Sequence, residues 1–325
     1  MSTVIQKAGM YNQPTMDMLQ KMGFTSFGEV YYVNPTTGDD DYDGLSFDRP
    51  FATLAAAYDA ATTNQDDFIV LSAYAAHAVT EMLDVSKNRI HFVSAAYRPG
   101  SVGLGARSRV TMGVTTAAAD IAVMKNTGVG NTFSGIKFDS SNTKDESLYA
   151  VAEGGEYTIY EGCEFYKSSD LNVSLAAEVL NNGDSVQWVN CVFGSLANAI
   201  ATACIRPNML LSRETITGKV CRDNVIDHCL FLVNSDDTHC VRIYGGGATD
   251  VERMLYIKDS AFINSIAAAG TPAHAIGFGS AQTVGTVLLK DCVSVDHTVM
   301  KQASKTIYVA GPVPTHNTSG VAVTG

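Results

Sequence analysis

The residues best suited to chemistry are four aspartates in the stretch NPTTGDDDYDGL: Asp39, Asp40, Asp41 and Asp43. Carboxylates at alternate positions are typical calcium ligands, and Asp39, Asp41 and Asp43 match the opening of an EF-hand loop. The twelfth position of that loop requires a bidentate glutamate, but it is Pro50 here. The sequence therefore excludes an EF-hand. A looser calcium site at these aspartates remains a weak alternative to a solvated turn.

A second group of acids occupies positions that we expect to point outward from short strands: Asp139, Glu161, Glu164, Asp227, Asp259 and Asp291. Glycoside hydrolysis needs two carboxyl groups at a defined separation. We find no basic residue that recurs beside these acids at equivalent places in a way that suggests a cleft. Aspartate is also common at bends because it tolerates unusual backbone conformations. We therefore predict no catalytic residues.

Seven cysteines are present: Cys163, Cys191, Cys204, Cys221, Cys229, Cys240 and Cys292. Their odd number and the absence of a CxxC motif argue against a disulfide framework. The pairs His228-Cys229 and His239-Cys240 could supply zinc ligands, although zinc sites favour closely paired ligands. We expect reduced cysteines in the core, and we predict neither a metal nor a cofactor.

A degenerate repeat explains where most of the cysteines occur. Six hexapeptides align: FSGIKF (133–138), YEGCEF (160–165), WVNCVF (188–193), IDHCLF (226–231), IKDSAF (257–262) and LKDCVS (289–294). Their fourth residues are 27, 28, 38, 31 and 32 positions apart. Such spacing is typical of structural repeats that stack on their neighbours. The second and third residues are often Gly, Asn or Asp, which favour a sharp corner.

Places four and six of each hexapeptide fall on the same side of a β-strand. This pattern predicts an all-β fold, a single-stranded right-handed parallel β-helix, with two ladders of stacked side chains inside. The predicted ladder residues are Cys163, Cys191, Cys229 and Cys292 at place four, and Phe138, Phe165, Phe193, Phe231 and Phe262 at place six. A buried free cysteine acts as a small apolar residue, and stacked rings add packing energy.

The segment before the coils predicts a cap helix over the end of the solenoid. Asp48 is its expected N-cap, and Pro50 lies in its expected first turn. The surrounding segment, residues 31–61, resembles the opening module of pectate-lyase-like β-helix proteins. The matching residues are Tyr32, Val33, Gly38, Asp43, Gly44, Pro50, Phe51, Thr53 and Leu54. The resemblance covers this module closely. The coils share with that family only the general character of their repeat.

The chain is predicted to divide into four parts. Residues 1–27 form an extended N-terminal arm, residues 28–66 the opening strand, Gly/Asp-rich turn and cap helix, residues 67–299 the β-helix, and residues 300–325 a C-terminal strand or tail. The arm is rich in methionine, which adapts to contact surfaces. Its predicted partner-binding residues are Met10, Tyr11, Met16, Met18, Met22 and Phe24.

Charge and hydropathy restrict the partners. The net charge of −11 and the lack of a basic stripe argue against nucleic acid. No apolar run is long enough for a membrane-spanning helix or a signal peptide, so we expect assembly in a host cytoplasm and no membrane partner.

These features resemble the β-helix proteins of tailed-phage virions. That resemblance predicts a non-enzymatic structural protein located in the virion, a capsid decoration or cement protein. It also implies a homotrimer and, through the arm, a contact with the major capsid protein or another virion protein. The alternative is a tailspike-like or polysaccharide-lyase-like protein that binds or cleaves a polysaccharide. A bacterial surface adhesin is disfavoured by the missing signal peptide.

Overall fold

The chain folds into a parallel β-solenoid with one short helix. The computed structural model describes residues 28–100, 108–112, 121–140, 148–167, 176–196, 206–211, 219–234, 239–244, 250–264, 274–278, 285–297, 299–301 and 307–310. The predicted arm contacts Met10, Tyr11, Met16, Met18, Met22 and Phe24 lie outside the described residues, as does Cys204. The division of the chain into four parts remains a prediction.

The described elements are one helix and twenty-six strands. The helix is α1 (Leu54–Ala60). In chain order the strands are β1 (Val30–Val33), β2 (Asp67–Leu71), β3 (Ala76–Val79), β4 (Leu83–Val85), β5 (Ile90–Ser94), β6 (Ser108–Met112), β7 (Ala122–Asn126), β8 (Thr132–Ser134), β9 (Ile136–Ser140), β10 (Tyr149–Glu153), β11 (Ile159–Glu161), β12 (Glu164–Lys167), β13 (Val179–Asn181), β14 (Gln187–Val189), β15 (Val192–Gly194), β16 (Met209–Leu211), β17 (Asn224–Asp227), β18 (Leu230–Val233), β19 (Val241–Ile243), β20 (Met254–Lys258), β21 (Ala261–Asn264), β22 (His274–Phe278), β23 (Thr286–Lys290), β24 (Val293–Val295), β25 (Val299–Lys301) and β26 (Tyr308–Ala310).

The strands stack into three parallel sheets. Sheet I contains ten strands in the order β1-β2-β5-β8-β11-β14-β17-β20-β23-β26. Sheet II contains eight strands, from β3 through β6, β9, β12, β15, β18 and β21 to β24, and sheet III another eight, from β4 through β7, β10, β13, β16, β19 and β22 to β25. Strands β2 to β25 thus form eight coils with one strand in each sheet. The predicted all-β parallel solenoid is confirmed.

The corner between sheets I and II is made by one residue with a positive φ. In six consecutive coils these residues are Gly135, Gly162, Asn190, His228, Asp259 and Asp291, with φ between 48° and 67°. The backbone N–H groups of the first five bridge neighbouring coils, as in Asn190 N–H donating to the Asp227 carbonyl at 3.0 Å. Glycine, asparagine and aspartate adopt this left-handed conformation most readily. This preference explains the Gly, Asn and Asp of the repeat.

The thiols of the repeat are buried between the coils. Cys163, Cys191 and Cys229 are fully buried, and Cys292 is nearly so. Each thiol donates to a carbonyl of the preceding coil; the Cys163 thiol, for example, lies 3.3 Å from the Phe133 oxygen. Burial raises the pKa of the Cys191 thiol well above its usual value. The Cys191 thiol therefore remains protonated, and all four cysteines act as packing residues.

Two aromatic ladders run side by side through the core. On sheet II the rings of Phe138, Phe165, Phe193, Phe231 and Phe262 stack with centroids 4.7 to 5.7 Å apart. A second ladder on sheet I contains Phe92, Phe133, Tyr160 and Trp188, with centroids 4.2 to 5.1 Å apart. The sequence signal for the second ladder is place one of the hexapeptides, which the repeat pattern identifies only as apolar.

The helix α1 lies against the first coil, but its predicted N-terminus was wrong. Thr53, not Asp48, is the N-cap, and its side chain accepts a hydrogen bond from the Ala56 N–H. Phe51 forms a β-bridge with Val33, which holds the chain extended past Pro50. The helix therefore begins at Leu54, and Leu54, Ala57 and Tyr58 bury its apolar face.

Candidate functional site

The outer surface of sheet II carries a charged cluster over its second to fourth coils. Arg109, Lys137 and Glu164 occupy equivalent places on β6, β9 and β12, because they are Cα partners in the ladder. Asp139 and Tyr166 are partners two residues further along the same strands. Alternate residues of a strand face the same side, so these five side chains project together. We call this set the charged face.

Asp139 is the unusual member of the charged face. Only 8% of the residue is exposed, although it points away from the core. Its Oδ2 lies 3.7 Å from the Arg109 guanidinium, and its Oδ1 has no hydrogen-bond partner. Burial raises the pKa of the Asp139 carboxyl, while the charges of Lys137 and Arg109 act in the opposite direction. A buried carboxyl with a spare oxygen beside two cations is a feature of ligand-binding or acid–base sites.

The other residues of the charged face are engaged with one another. Lys137 Nζ lies 2.8 Å from a Glu164 oxygen and 4.7 Å from the centre of the Tyr166 ring. Both ion-paired side chains are less than one-fifth exposed. Arg109 remains about half exposed and is the cation most accessible to a ligand. The set thus combines a fixed ion pair, an accessible guanidinium and a buried carboxyl.

Basic residues do recur at equivalent places beside two of the outward acids. Arg109 and Lys137 stand at the same place in consecutive coils, beside Asp139 and Glu164. The sequence signal was missed because β6 lies upstream of the first hexapeptide, at the end of a long connection from β5. Without the register between β6 and β9, Arg109 could not be aligned with Lys137. Asp139 points outward as expected, but it is buried.

The corner aspartates form a second charged group, around Asp227. Its carboxylate accepts hydrogen bonds from His228 Nδ1 at 2.6 Å and from Lys258 Nζ at 2.7 Å. Although burial opposes it, these two partners hold the pKa of Asp227 below its usual value. Ligand atoms of Asp227, His228 and Asp259 lie within 4.8 Å of one another, the one such group of three within the described ranges. Lys258 already neutralises the Asp227 carboxylate and would compete with a metal ion for it.

The remaining predicted acids serve local structure. Glu161 accepts a hydrogen bond from the Gly100 N–H at 3.3 Å. Asp259 and Asp291 are left-handed corner residues. Their structural role agrees with the bends expected from the sequence.

The aspartates of the opening stretch bind the backbone of their own turn. Asp39 accepts from the Asp41 N–H, and Asp43 accepts from the Leu45 N–H. Asp40, which the calcium motif does not use, accepts from Ala52 N, Thr53 N and Thr53 Oγ1, each at 2.9 Å. Asp40 thereby fixes the residues that lead into α1. The candidate ligands Asp39, Asp41 and Asp43 are not among the clustered groups of the described chain.

The two His-Cys pairs do not converge on one site. The Cys229 thiol donates into the core, to the Trp188 carbonyl, whereas His228 is at the exposed corner. Cys240 Sγ lies 3.6 Å from Nε2 of the buried His297. Burial raises the pKa of the Cys240 thiol and lowers the pKa of His297 to about 4. Both groups are therefore neutral and packed in the interior.

A buried polar cluster surrounds Glu153 in the corner between sheets III and I. Glu153 is fully buried and accepts hydrogen bonds from Tyr160 OH at 2.5 Å, from Asn126 Nδ2 at 2.9 Å and from the Gly155 N–H. Burial raises its pKa from 4.5 to about 7, although these hydrogen bonds oppose the rise. No ligand can reach this acid without opening the coil, so its role is structural.

Comparison with known proteins supports the fold. No protein-family model and no curated protein sequence matches the chain. Among solved structures, a pectin methylesterase from Aspergillus niger aligns with a TM-score of 0.60 and 11% identity, over 92% of this chain and 89% of that one. Pectate lyase Pel9A aligns with a TM-score of 0.59 and 14% identity, over 90% and 74%. A rhamnogalacturonan lyase gives 0.57 and 16%, over 83% and 69%. At these identities the similarity extends to the parallel β-helix alone.

Among the described residues, no helix reaches the length and hydropathy that a bilayer crossing requires.

Proposed function

We propose that the chain is a non-enzymatic structural protein of a virus particle, a decoration or cement protein of a tailed-bacteriophage capsid. The observation that most supports this role is the continuous core, a single apolar cluster that runs from Val33 to Met300. Each coil packs on its neighbours along the whole rod, and such stacking gives a stiff, elongated body. A rigid rod with large side surfaces suits reinforcement of a shell.

Charged side chains at the corners strengthen the same rod. Lys258 of one coil pairs with Asp227 of the preceding coil at 2.7 Å, and Arg222 pairs with Asp184 at 3.0 Å. Acids that hold adjacent coils together are not free to act on a substrate. This arrangement favours a structural role for the corners on both sides of sheet I.

Attachment and assembly are assigned to two different surfaces. We assign residues 1–27 to contact with the major capsid protein or another virion protein. Side-by-side association, as a homotrimer, is supported by apolar side chains on the outer surface of sheet II. There Leu230, Ile263, Val293 and Val295 follow the charged face along the rod, and Val293 is 56% exposed. Exposed apolar patches are typical of protein contacts.

Deletion of residues 1–27 tests this role. Purified full-length protein and the deletion variant are mixed with capsids lacking the protein, and bound material is measured by cosedimentation. We expect the deletion to abolish binding while the melting temperature and the trimer mass are retained. Equal binding by both proteins would refute attachment through the arm. Failure of full-length protein to bind any capsid would refute the virion role.

Polysaccharide binding at the charged face is a second candidate function. It is supported by the buried Asp139 carboxyl with its unpartnered oxygen next to the half-exposed Arg109. The structurally similar proteins are named as pectin methylesterase, pectate lyase and rhamnogalacturonan lyase. A spare carboxylate oxygen can accept a sugar hydroxyl, and guanidinium groups bind carboxylates in pairs of hydrogen bonds.

Asp139→Asn separates this candidate from the first. If the face binds glycan, affinity for an acidic polysaccharide should fall at least about tenfold, the effect of one charged hydrogen bond. The melting temperature should hold or rise, because a buried charge is removed. Asp259→Asn, at an exposed corner, is the matched control. If neither the native protein nor either variant binds or depolymerises any of a panel of acidic polysaccharides, the second candidate fails and the first is unaffected.

A further inference from the structure

A cavity of about 490 Å³ lies at the N-terminal end of the rod, between α1 and the segment that joins β3 to β4. This volume is within the range of ligand-binding clefts. Its apolar lining comes from Leu54 and Tyr58 on the helix and from Val79 and Leu83 on the first coil, all of which are largely buried. We call this space the cap cavity.

The cap cavity adjoins an open strand edge. Strand β3 is the first strand of sheet II, and among the described residues no strand pairs with its N-terminal edge. The Ala75 carbonyl accepts from the Arg109 N–H and therefore faces the second coil. Because this direction alternates along a parallel strand, the backbone groups of Ala76 and Ala78 face the N-terminal end of the rod. Ala78 also lines the cap cavity, so the edge and the cavity are continuous.

The helix closes the neighbouring edge of sheet III but leaves that of sheet II open. Tyr58 OH accepts from the N–H groups of Ser86 and Lys87, just past β4, each at 2.7 Å. Lys87 Nζ in turn donates to the Tyr58 and Asp59 carbonyls at 2.6 and 3.0 Å. These contacts fix α1 beside the cavity. Strand β3, with the sequence AHAV, contains neither proline nor lysine, two residues that commonly block an edge.

The charges around the cap cavity are all negative. Asp59, Glu81 and Asp84 line it at exposed positions, and its lining contains no lysine, arginine or histidine. One of these acids already holds a cation from outside the lining, because Lys125 Nζ lies 3.4 Å from Asp84 Oδ2. An apolar cavity with an acidic rim complements a ligand that carries both apolar and basic side chains.

We propose that the N-terminal edge of β3 and the cap cavity together bind an extended segment of another protein, in which apolar and basic residues alternate. The segment pairs with the backbone of Ala76 and Ala78 as an additional strand of sheet II. It places an apolar side chain in the cavity and basic side chains near Asp59 and Glu81. In such strand addition, main-chain hydrogen bonds supply affinity and the pocket supplies specificity.

A fluorescent heptapeptide of alternating valine and lysine is the probe. Its affinity for the full-length protein is measured by fluorescence anisotropy, and its position by hydrogen exchange. At saturation it should slow exchange of the Ala76 and Ala78 amides at least about tenfold, the effect of a backbone hydrogen bond at each. The same peptide methylated at every backbone nitrogen keeps its charge but has no donors, and it should give no protection. A peptide with glutamate in place of lysine should not bind.

Two pairs of variants separate this site from general attraction to an acidic protein. Ala55→Phe fills the cap cavity from an exposed position on α1 and should prevent binding, whereas Ala60→Phe, on the same helix outside the lining, should not. Asp59→Asn/Glu81→Gln should weaken binding about fivefold, the effect of two exposed ion pairs. Asp41→Asn/Asp48→Asn makes the same change in net charge at exposed positions outside the lining and should bind like native protein.

The proposal fails if the heptapeptide does not bind, or if it binds without slowing exchange at Ala76 and Ala78. It also fails if Ala55→Phe binds like native protein. If both amides are already protected in the free protein and lose this protection on deletion of residues 1–27, the edge is covered from within the chain and the proposed partner is wrong. These measurements involve neither capsids nor polysaccharides, so their outcome is independent of the functions proposed above.

Discussion

At the scale of single residues, the surroundings decide what each carboxylate does. Asp40 accepts three hydrogen bonds and organises a turn. Asp259 supplies a left-handed corner. Asp139 is buried with an oxygen to spare, and Glu153 accepts hydrogen bonds inside the coil. Asp40 and Glu153, whose oxygens accept several hydrogen bonds within the protein, are therefore structural. Asp139, which has a spare oxygen, is the acid that can accept a ligand.

Replacement of Glu153 by glutamine should make stability less dependent on pH. The pKa of Glu153 is raised by burial from its ordinary value of 4.5 to about 7 in the folded chain. Because the folded value is raised, its contribution to stability is complete below about pH 4 and is lost as pH rises toward 7. The full shift corresponds to about 3 kcal/mol. The free energy of unfolding of Glu153→Gln, relative to native protein, should increase by about that amount from about pH 4 to about pH 8.

Urea unfolding of both proteins at several pH values measures this difference. The buried histidines titrate in both proteins, so their contributions cancel in the comparison. Glu81→Gln, at an exposed position, is the control for the same substitution at the surface. A pH-independent difference for Glu153→Gln would contradict the burial argument.

At the scale of elements, the corner residues show what a sequence can and cannot predict. The strand pairs around each corner follow from two local rules, alternation along a strand and the left-handed preference of Gly, Asn and Asp. The start of α1 did not follow from local rules. Pro50 is a good first helical residue, yet the pairing of Phe51 with Val33 overrides it. The charged face also required a register, between β6 and β9, that a long connection hides.

Asp40→Ala should weaken the opening module, whereas Asp41→Ala should not. The first change removes three hydrogen bonds that hold Ala52 and Thr53 ahead of α1. We expect a loss of about 1–2 kcal/mol in the free energy of unfolding. The second change leaves the turn intact, because Asp41 contributes its backbone N–H. If these aspartates instead formed a calcium site, Asp41→Ala and addition of EDTA would both lower the melting temperature. We expect neither to do so.

At the scale of the whole molecule, stability is shared between nearest neighbours. An inner coil packs on two others, while an end coil packs on one. Within the Phe ladder, an inner ring likewise stacks on two others and the last ring on one. The Phe193 ring stacks on Phe165 at 5.1 Å and on Phe231 at 4.7 Å. The Phe262 ring stacks on Phe231 at 5.0 Å, and its partner on the other side is Ser294. Phe193 and Phe262 therefore allow the same substitution to be compared between a ring with two stacked neighbours and a ring with one.

Phe193→Ala should destabilise the protein more than Phe262→Ala. Both changes leave a cavity in a fully buried ladder, and such truncations cost about 3–5 kcal/mol. Phe193 also loses one more ring contact, worth about 0.5–1.5 kcal/mol. Phe193 further faces Trp188 edge-on at 5.6 Å, which adds to the difference. Urea unfolding of the two variants gives the free energies directly. Hydrogen exchange should then show faster opening in the coils on both sides of the fifth coil, which consists of β14, β15 and β16, for Phe193→Ala. For Phe262→Ala, faster opening should be limited to the coils toward the C-terminus. Equal losses with equal exchange patterns would mean that the rod unfolds as one unit, and that its stability is not a sum over neighbouring coils.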